Sequence, residues 1–177
     1  MGRFTGRRVD QAYFAFFIIH LIASLALDLQ RSYPAWLIDD TQLAAFKKWY
    51  ISWSRDPVML NAYSGDPAWL WIEPFFFLEL VFQVPSFVVG AIGLWKNDKR
   101  VYPLMLAYAA STATTMLPTV QSLYTAPSNP PLSSAELYNL FASYLPFLIV
   151  TLGMAVDMTV RLTHLVGDAQ RNKVKVA

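Results

Sequence analysis

The chain contains no cysteine, which excludes disulfide frameworks, thiol nucleophiles and thiolate-bound metals. Histidine is scarce: there are two in 177 residues. His20 and His164 stand far apart, leaving no spacing for a histidine metal site. Charge is sparse as well, with 15% of residues charged and a net charge of +2. The basic residues gather beside apolar runs without interleaved aromatics, a distribution that gives nucleic-acid binding no support. Ser/His/Asp signatures, phosphate loops and metal motifs are missing, so neither hydrolase nor nucleotide chemistry is expected, and no cofactor.

What the chain has in abundance is apolar and aromatic surface. Hydrophobic residues make up 55% of it and the mean hydropathy is +0.35, too apolar for an ordinary soluble domain of this size. Four apolar segments, 13–29, 75–95, 101–124 and 137–162, approach the ~20 residues needed to cross a ~30 Å hydrocarbon core. The predicted fold is an all-α bundle of four transmembrane helices over residues 1–164, followed by a cytosolic tail over 165–177. Lys and Arg set the orientation, because cytosolic flanks retain them. Arg3, Arg7 and Arg8 precede the first segment, Lys96, Lys99 and Arg100 fill the second connection, and Arg161, Arg171, Lys173 and Lys175 close the chain. Both termini are therefore expected in the cytosol, with segment 31–66 as a lumenal cap whose four basic residues are offset by Asp39, Asp40, Asp56 and Asp66. Arg7, Arg8 and Ser24-Leu25-Ala26 also fit a cleaved signal peptide, but the apolar run is long for one. The final KVKVA matches the spacing of a dilysine retrieval signal of the endoplasmic reticulum, with a merely basic tail as the alternative.

Local signals mark several boundaries. Asp66-Pro67 is an N-cap followed by a proline at the first helical position, and Ser133 with Glu136 is a capping box opening the fourth segment. The cap is rich in Trp and Tyr, which suits an interfacial location, and is expected to be helical over 41–53. Pro85, Pro118 and Pro146 should kink their helices and free the carbonyls of Val81, Thr114 and Ala142.

Glu79 is the sharpest feature, a carboxylate within the run FFFLELVFQVP. A charge near the centre of a membrane helix costs about 2.5–3.5 kcal/mol, so it is expected to face the bundle interior. Counting about 1.5 Å per residue from the cytosolic ends places Glu79 at ~24 Å, Asp28 at ~27 Å, Thr115 at ~21 Å and Tyr144 at ~27 Å, a single layer. His20, Ser24 and Asp28 share one face of the first helix, Glu79 and Gln83 one face of the second, and Ser111, Thr115, Pro118 and Ser122 one face of the third. Hydroxyl groups in such stripes are ordinarily interhelical glue, whereas the acidic pair points to function. A lipophilic amine would place its cation between Asp28 and Glu79, with Phe75, Phe76, Phe77, Tyr144 and Trp69 or Trp71 around its apolar body. A sterol would need only one polar contact. Alternatively the two carboxyl groups share a proton and act as acid and base. His20 is expected to be packed and hydrogen-bonded, Asp56-Pro57 to cap a turn, and Asp157 and Arg161 to pair along one helix.

The combination of His20, LDLQ (27–30), KWY (48–50), Asp56-Pro57, Pro67-Ala68-Trp69, ELVFQVP (79–85), TATTMLP (112–118) and SYLPF (143–147) resembles the sigma-2 receptor branch of the EXPERA superfamily, which also contains the emopamil-binding protein sterol isomerases. The resemblance implies a homodimeric membrane protein of the endoplasmic reticulum whose pocket opens to the bilayer and binds sterols, oxysterols and lipophilic amines. It further implies a link to cholesterol homeostasis and to a Niemann-Pick type C cholesterol transporter as partner. Carried onto this chain, Asp28 and Glu79 match the acidic pair of the pocket, Gln83, Thr115 and Tyr144 its polar lining, and Asp56 a supporting loop aspartate. The isomerases pair the glutamate with a histidine on the second helix. Phe75 and Phe76 stand a turn before Glu79 here, so the expectation favours a binding protein over an enzyme, with a scaffold for a partner membrane protein as a third class.

Overall fold

The computed structural model describes residues 4–176 except Asp40, Tyr63, Pro127 and Asn129, and for 173–176 only the backbone. Arg3 and the side chains of Lys173 and Lys175, with the retrieval reading they carry, lie outside the described residues. The described residues form helices and no strand. Helix α1 covers Arg8–Ala26. It ends short of the expected Leu29 because Leu27 leaves helical geometry (φ −126°, ψ −64°), and a 3₁₀ turn over Asp28–Ser32 follows. The cap then holds α2 (Ala35–Ile38), α3 (Gln42–Ser54) and α4 (Pro57–Asn61). Thr41 caps α3 by accepting the N–H of Ala44 at 3.4 Å, and the left-handed Arg55 (φ 52°) ends it.

A 3₁₀ segment (Pro67–Ile72), α5 (Glu73–Leu78), a π-helical turn (Glu79–Gln83) and α6 (Val84–Lys96) run on from one to the next. Asp66 opens this stretch as its spacing to Pro67 implied, accepting the N–H of Ala68 at 2.9 Å. Helices α7 (Tyr102–Thr125) and α8 (Ser134–Val176) complete the chain. The capping box forms: Glu136 accepts the N–H of Ser133 at 2.7 Å and the Ser133 hydroxyl accepts the N–H of Glu136 at 3.3 Å. At 43 residues, α8 is about 65 Å long. It continues through the segment read as a tail.

Among the described residues, three helical stretches are long and apolar enough to cross a membrane: Arg8–Ala26, Pro67–Lys96 and Ser134–Asn172. Helix α7 has the length, at 24 residues, but its run of Ser and Thr makes it more polar. Those hydroxyls mostly turn back on their own helix instead of gluing it to neighbours. Thr114 donates to the Ala110 carbonyl at 2.8 Å, Thr119 to Thr115 at 2.9 Å and Ser122 to Pro118 at 2.8 Å.

Helix α1 packs along α6, and α7 along α8. The first pair approaches closely because Gly90 faces Phe17; a Cβ there would stand 2.6 Å from the Phe17 ring. Phe17, Phe87, Tyr108, Met154 and Met158 form the larger buried cluster. A second cluster of Val58, Trp69, Ile72, Leu123 and Leu140 joins the cap to the helix ends. Where α1 begins, Asp10 (4% exposed) accepts from Arg7 Nε at 2.8 Å and from Arg161 at 2.6 Å. Arg161 also pairs with Asp157 at 2.9 Å and donates to the Tyr102 hydroxyl at 3.3 Å. The expected Asp157–Arg161 pair is thus one edge of a network centred on Asp10.

Candidate functional site

Glu79 opens the π-helical turn that ends two residues before Pro85. Pro85 has no N–H for the carbonyl of Val81 and its ring crowds that carbonyl. The kink expected at this proline takes the form of a wider turn, a feature that recurs at functional sites. Glu79 meets α1 there. Its Oε1 accepts from the Ser24 hydroxyl, and its side chain is hydrogen-bonded to that of Asp28. Asp28 occupies the 3₁₀ turn just past α1, so the stripe His20, Ser24, Asp28 reaches its third member beyond the end of the α-helix. Gln83, 5% exposed, is buried one turn after Glu79.

The cap supplies the other side. Asp56 is fully buried and caps α4, accepting the N–H groups of Val58 at 2.9 Å and Met59 at 3.2 Å. Its second oxygen accepts the Tyr144 hydroxyl at 2.7 Å and that of Tyr50 at 3.2 Å. Burial pushes its carboxyl above the usual range while these four donors pull it down. One loop carboxylate therefore caps a helix and orients the tyrosine of α8. His20 is 8% exposed and lies between the rings of Phe87 and Phe147, each 4.6 Å away. Its Nδ1 shares a 2.9 Å hydrogen bond with the Tyr108 hydroxyl.

Beside these groups lie two chambers, of about 100 Å³ and about 230 Å³, that share part of their lining. Asp28, Glu79, Gln83, Thr115 and Tyr144 all line the smaller one together with His20, Phe75 and Phe76. Ala23, Leu27, Tyr50, Ser143 and Phe147 line only the larger one, while His20, Asp28, Met59, Met116 and Tyr144 line both. Among the described residues neither lining includes Lys or Arg. Each chamber alone falls below the ~300–1,000 Å³ of typical ligand pockets. A drug-sized guest would fill both and displace the methionines between them, which are the most adaptable apolar side chains.

Part of the lining differs from expectation. Phe77 is 67% exposed and points away, because only two of three consecutive helical residues can share an inward arc. Trp69 and Trp71 pack with the second apolar cluster instead. Thr112, Thr119 and Met116 of α7 join Thr115 at the wall; from Thr115, steps of three residues back and four forward lead to the two threonines, whereas the expected stripe took four back and three forward, to Ser111 and Pro118. Met59 sits in five-residue α4, too short to carry a periodic signal.

Residues 42–158 match the family model described as EXPERA (EXPanded EBP superfamily), a range that holds Asp56, Glu79, Gln83, Thr115 and Tyr144 and starts after Asp28. Efficient mitochondria targeting-associated protein 19 of Schizosaccharomyces pombe is 29% identical over 161 residues, 89% of this chain and 79% of that protein. Sigma intracellular receptor 2 of Homo sapiens is 30% identical over 115 residues, covering 64% of this chain and 61% of the receptor. The Xenopus tropicalis receptor of that name is 27% identical over 158 residues, covering 86% and 88%. With its helical architecture and two-thirds of its length matched, the chain belongs to the EXPERA superfamily and is similar to the sigma-2 receptors within it.

Proposed function

We propose that the protein binds sterols, oxysterols and lipophilic amines in this cavity, within the membrane of the endoplasmic reticulum, as a non-enzymatic component of cholesterol homeostasis. The observation that carries the reading is an acidic pair, Asp28 and Glu79, facing an otherwise largely apolar cavity with no Lys or Arg in its described lining. An ammonium group placed there gains two carboxyl partners and aromatic faces, while the apolar walls accept the hydrocarbon body. The name of the receptors it resembles supports a receptor role. In this reading α7 is also a span, which makes four, despite its lower hydropathy, because it packs along α8. Both termini are cytosolic, the active form is a homodimer, and a Niemann-Pick type C cholesterol transporter is the candidate partner.

A sterol Δ8–Δ7 isomerase is the rival. What favours it is His20, which lines both chambers beside the acidic pair and supplies the imidazole that the second helix lacks. One experiment separates the two. Purified wild type and Glu79→Gln are measured for binding of a lipophilic amine and an oxysterol, and for sterol double-bond isomerisation. Binding without turnover in the wild type, with amine affinity lost in the variant, supports the receptor reading. Turnover overturns it, and unchanged amine affinity in the variant removes Glu79 from the site.

A further inference from the structure

The cap carries a second feature unrelated to the acidic pair. Phe46, Trp49 and Trp53 recur at i, i+3 and i+7 of α3 and so share one face, and they are 42%, 56% and 58% exposed. Their rings form a ladder, with centroids 5.7 Å apart for Phe46–Trp49 and 6.0 Å apart for Trp49–Trp53. Trp36 on α2 is 80% exposed. Apolar surface of this kind in water is unfavourable unless something covers it.

The inner face of the same helix fixes its height. Buried Gln30 donates to the Ala26 carbonyl at 2.6 Å and to the Leu43 carbonyl at 2.9 Å, tying the first turn of α3 to the last turn of α1. Tyr50 walls the larger chamber with Ala23 of α1, Leu27 just past its end and Phe147 of α8. Helix α3 therefore lies beside the end of a membrane-spanning helix instead of above it. Its charge fits that depth: Lys47 and Lys48 are present and Asp and Glu are absent from Gln42–Ser54. Tryptophan and lysine together match a boundary where acyl chains meet phosphates.

We infer that α3 is an interfacial helix, with the Phe46–Trp49–Trp53 face seated in the headgroup boundary of the bilayer and the Tyr50 face closing the cavity. This placement does not depend on what the cavity binds. The absence of cysteine makes the test direct. Single-cysteine variants Trp49→Cys and Trp53→Cys are labelled with bimane, reconstituted in phosphatidylcholine–phosphatidylserine vesicles and quenched by nitroxides at the lipid headgroup, at acyl carbon 5 or at acyl carbon 12, and by aqueous iodide. Ile149→Cys, on an exposed apolar position of α8, and Gln170→Cys, near its exposed end, serve as deep and aqueous references. Lys48→Cys, also exposed, reports on the same helix with every tryptophan retained. Labels at 49 and 53 are expected to be quenched at least about two-fold more by the headgroup and carbon-5 probes than by carbon 12, the reverse of the label at 149. Iodide access equal to that at 170 overturns the inference. Shielding from both lipid and iodide also overturns it, because a second copy of the chain then covers the face.

Discussion

Two groups of acids stand at opposite ends of α1, one centred on buried Asp10 and the other on half-buried Asp28 and Glu79, and they are matched in opposite ways. Asp10 is enclosed by Arg7 and Arg161, which also binds Asp157, so its charge is met by cations from the segment before α1 and from α8. Asp28 and Glu79 meet each other and the Ser24 hydroxyl beside a cavity whose described lining has no Lys or Arg. Burying a carboxylate is costly in both places. At the first end the cost is offset inside the chain, and the result is a clamp between helix ends. At the second the described wall offers hydroxyl, amide and imidazole groups but no Lys or Arg. The contrast separates an acid matched by two arginines from an acidic pair whose described cavity wall holds no Lys or Arg, the feature on which the proposed ligand site rests.

Substitution tests this contrast. Asp10→Ala should have the largest effect on stability, about 3 kcal/mol, because it removes the buried carboxylate that joins Arg7 to Arg161. Thermal unfolding in detergent measures it, and an unchanged midpoint would make the two ends equivalent. Glu79→Gln should leave the midpoint within about 1 kcal/mol of wild type. The same change should weaken lipophilic-amine binding at least about ten-fold, or 1.4 kcal/mol, by equilibrium titration. Tyr144→Phe keeps the ring but removes the 2.7 Å donor to Asp56. A loss of about 1 kcal/mol in stability is expected, with a smaller loss of affinity than for Glu79→Gln.

The smallest effect belongs to a surface pair. Arg100 beside Asp98 holds that carboxyl down at about 2. A depressed carboxyl contributes stability above its ordinary value of about 4 and loses it as pH falls toward 2. Solvent screens a pair at the surface, so Asp98→Asn should leave the neutral-pH midpoint unchanged in the same unfolding assay. A large shift would mean that surface charges, and not only the Asp10 network, hold the helix connections.

Composition was enough to make the chain helical and membrane-embedded, because 55% hydrophobic residues in long runs have no soluble solution. Helical rise was enough to place Asp28, Glu79, Thr115 and Tyr144 in one expected layer, and helical period to put Gln83 on the face of Glu79, since these are properties of the backbone that any apolar helix obeys. Capping at Asp66 and Ser133 was legible for a related reason: an N-cap is a local transaction between neighbours in sequence.

Features that depend on which helices meet were not legible. Asp10 attracted no notice because Arg161 stands 151 positions away in sequence. Asp56 could be read as a turn cap, but its second oxygen found Tyr144 only through the folding of the cap onto α8. The helix α8 outran its apolar stretch because backbone hydrogen bonds continue through polar residues once a helix is nucleated. At Pro85 the sequence alone determined that the helix had to deviate, since proline lacks the N–H. Only the tertiary structure decided that the deviation is a π turn beginning at Glu79, where packing against α1 sets the winding that delivers the carboxyl group to Ser24 and Asp28.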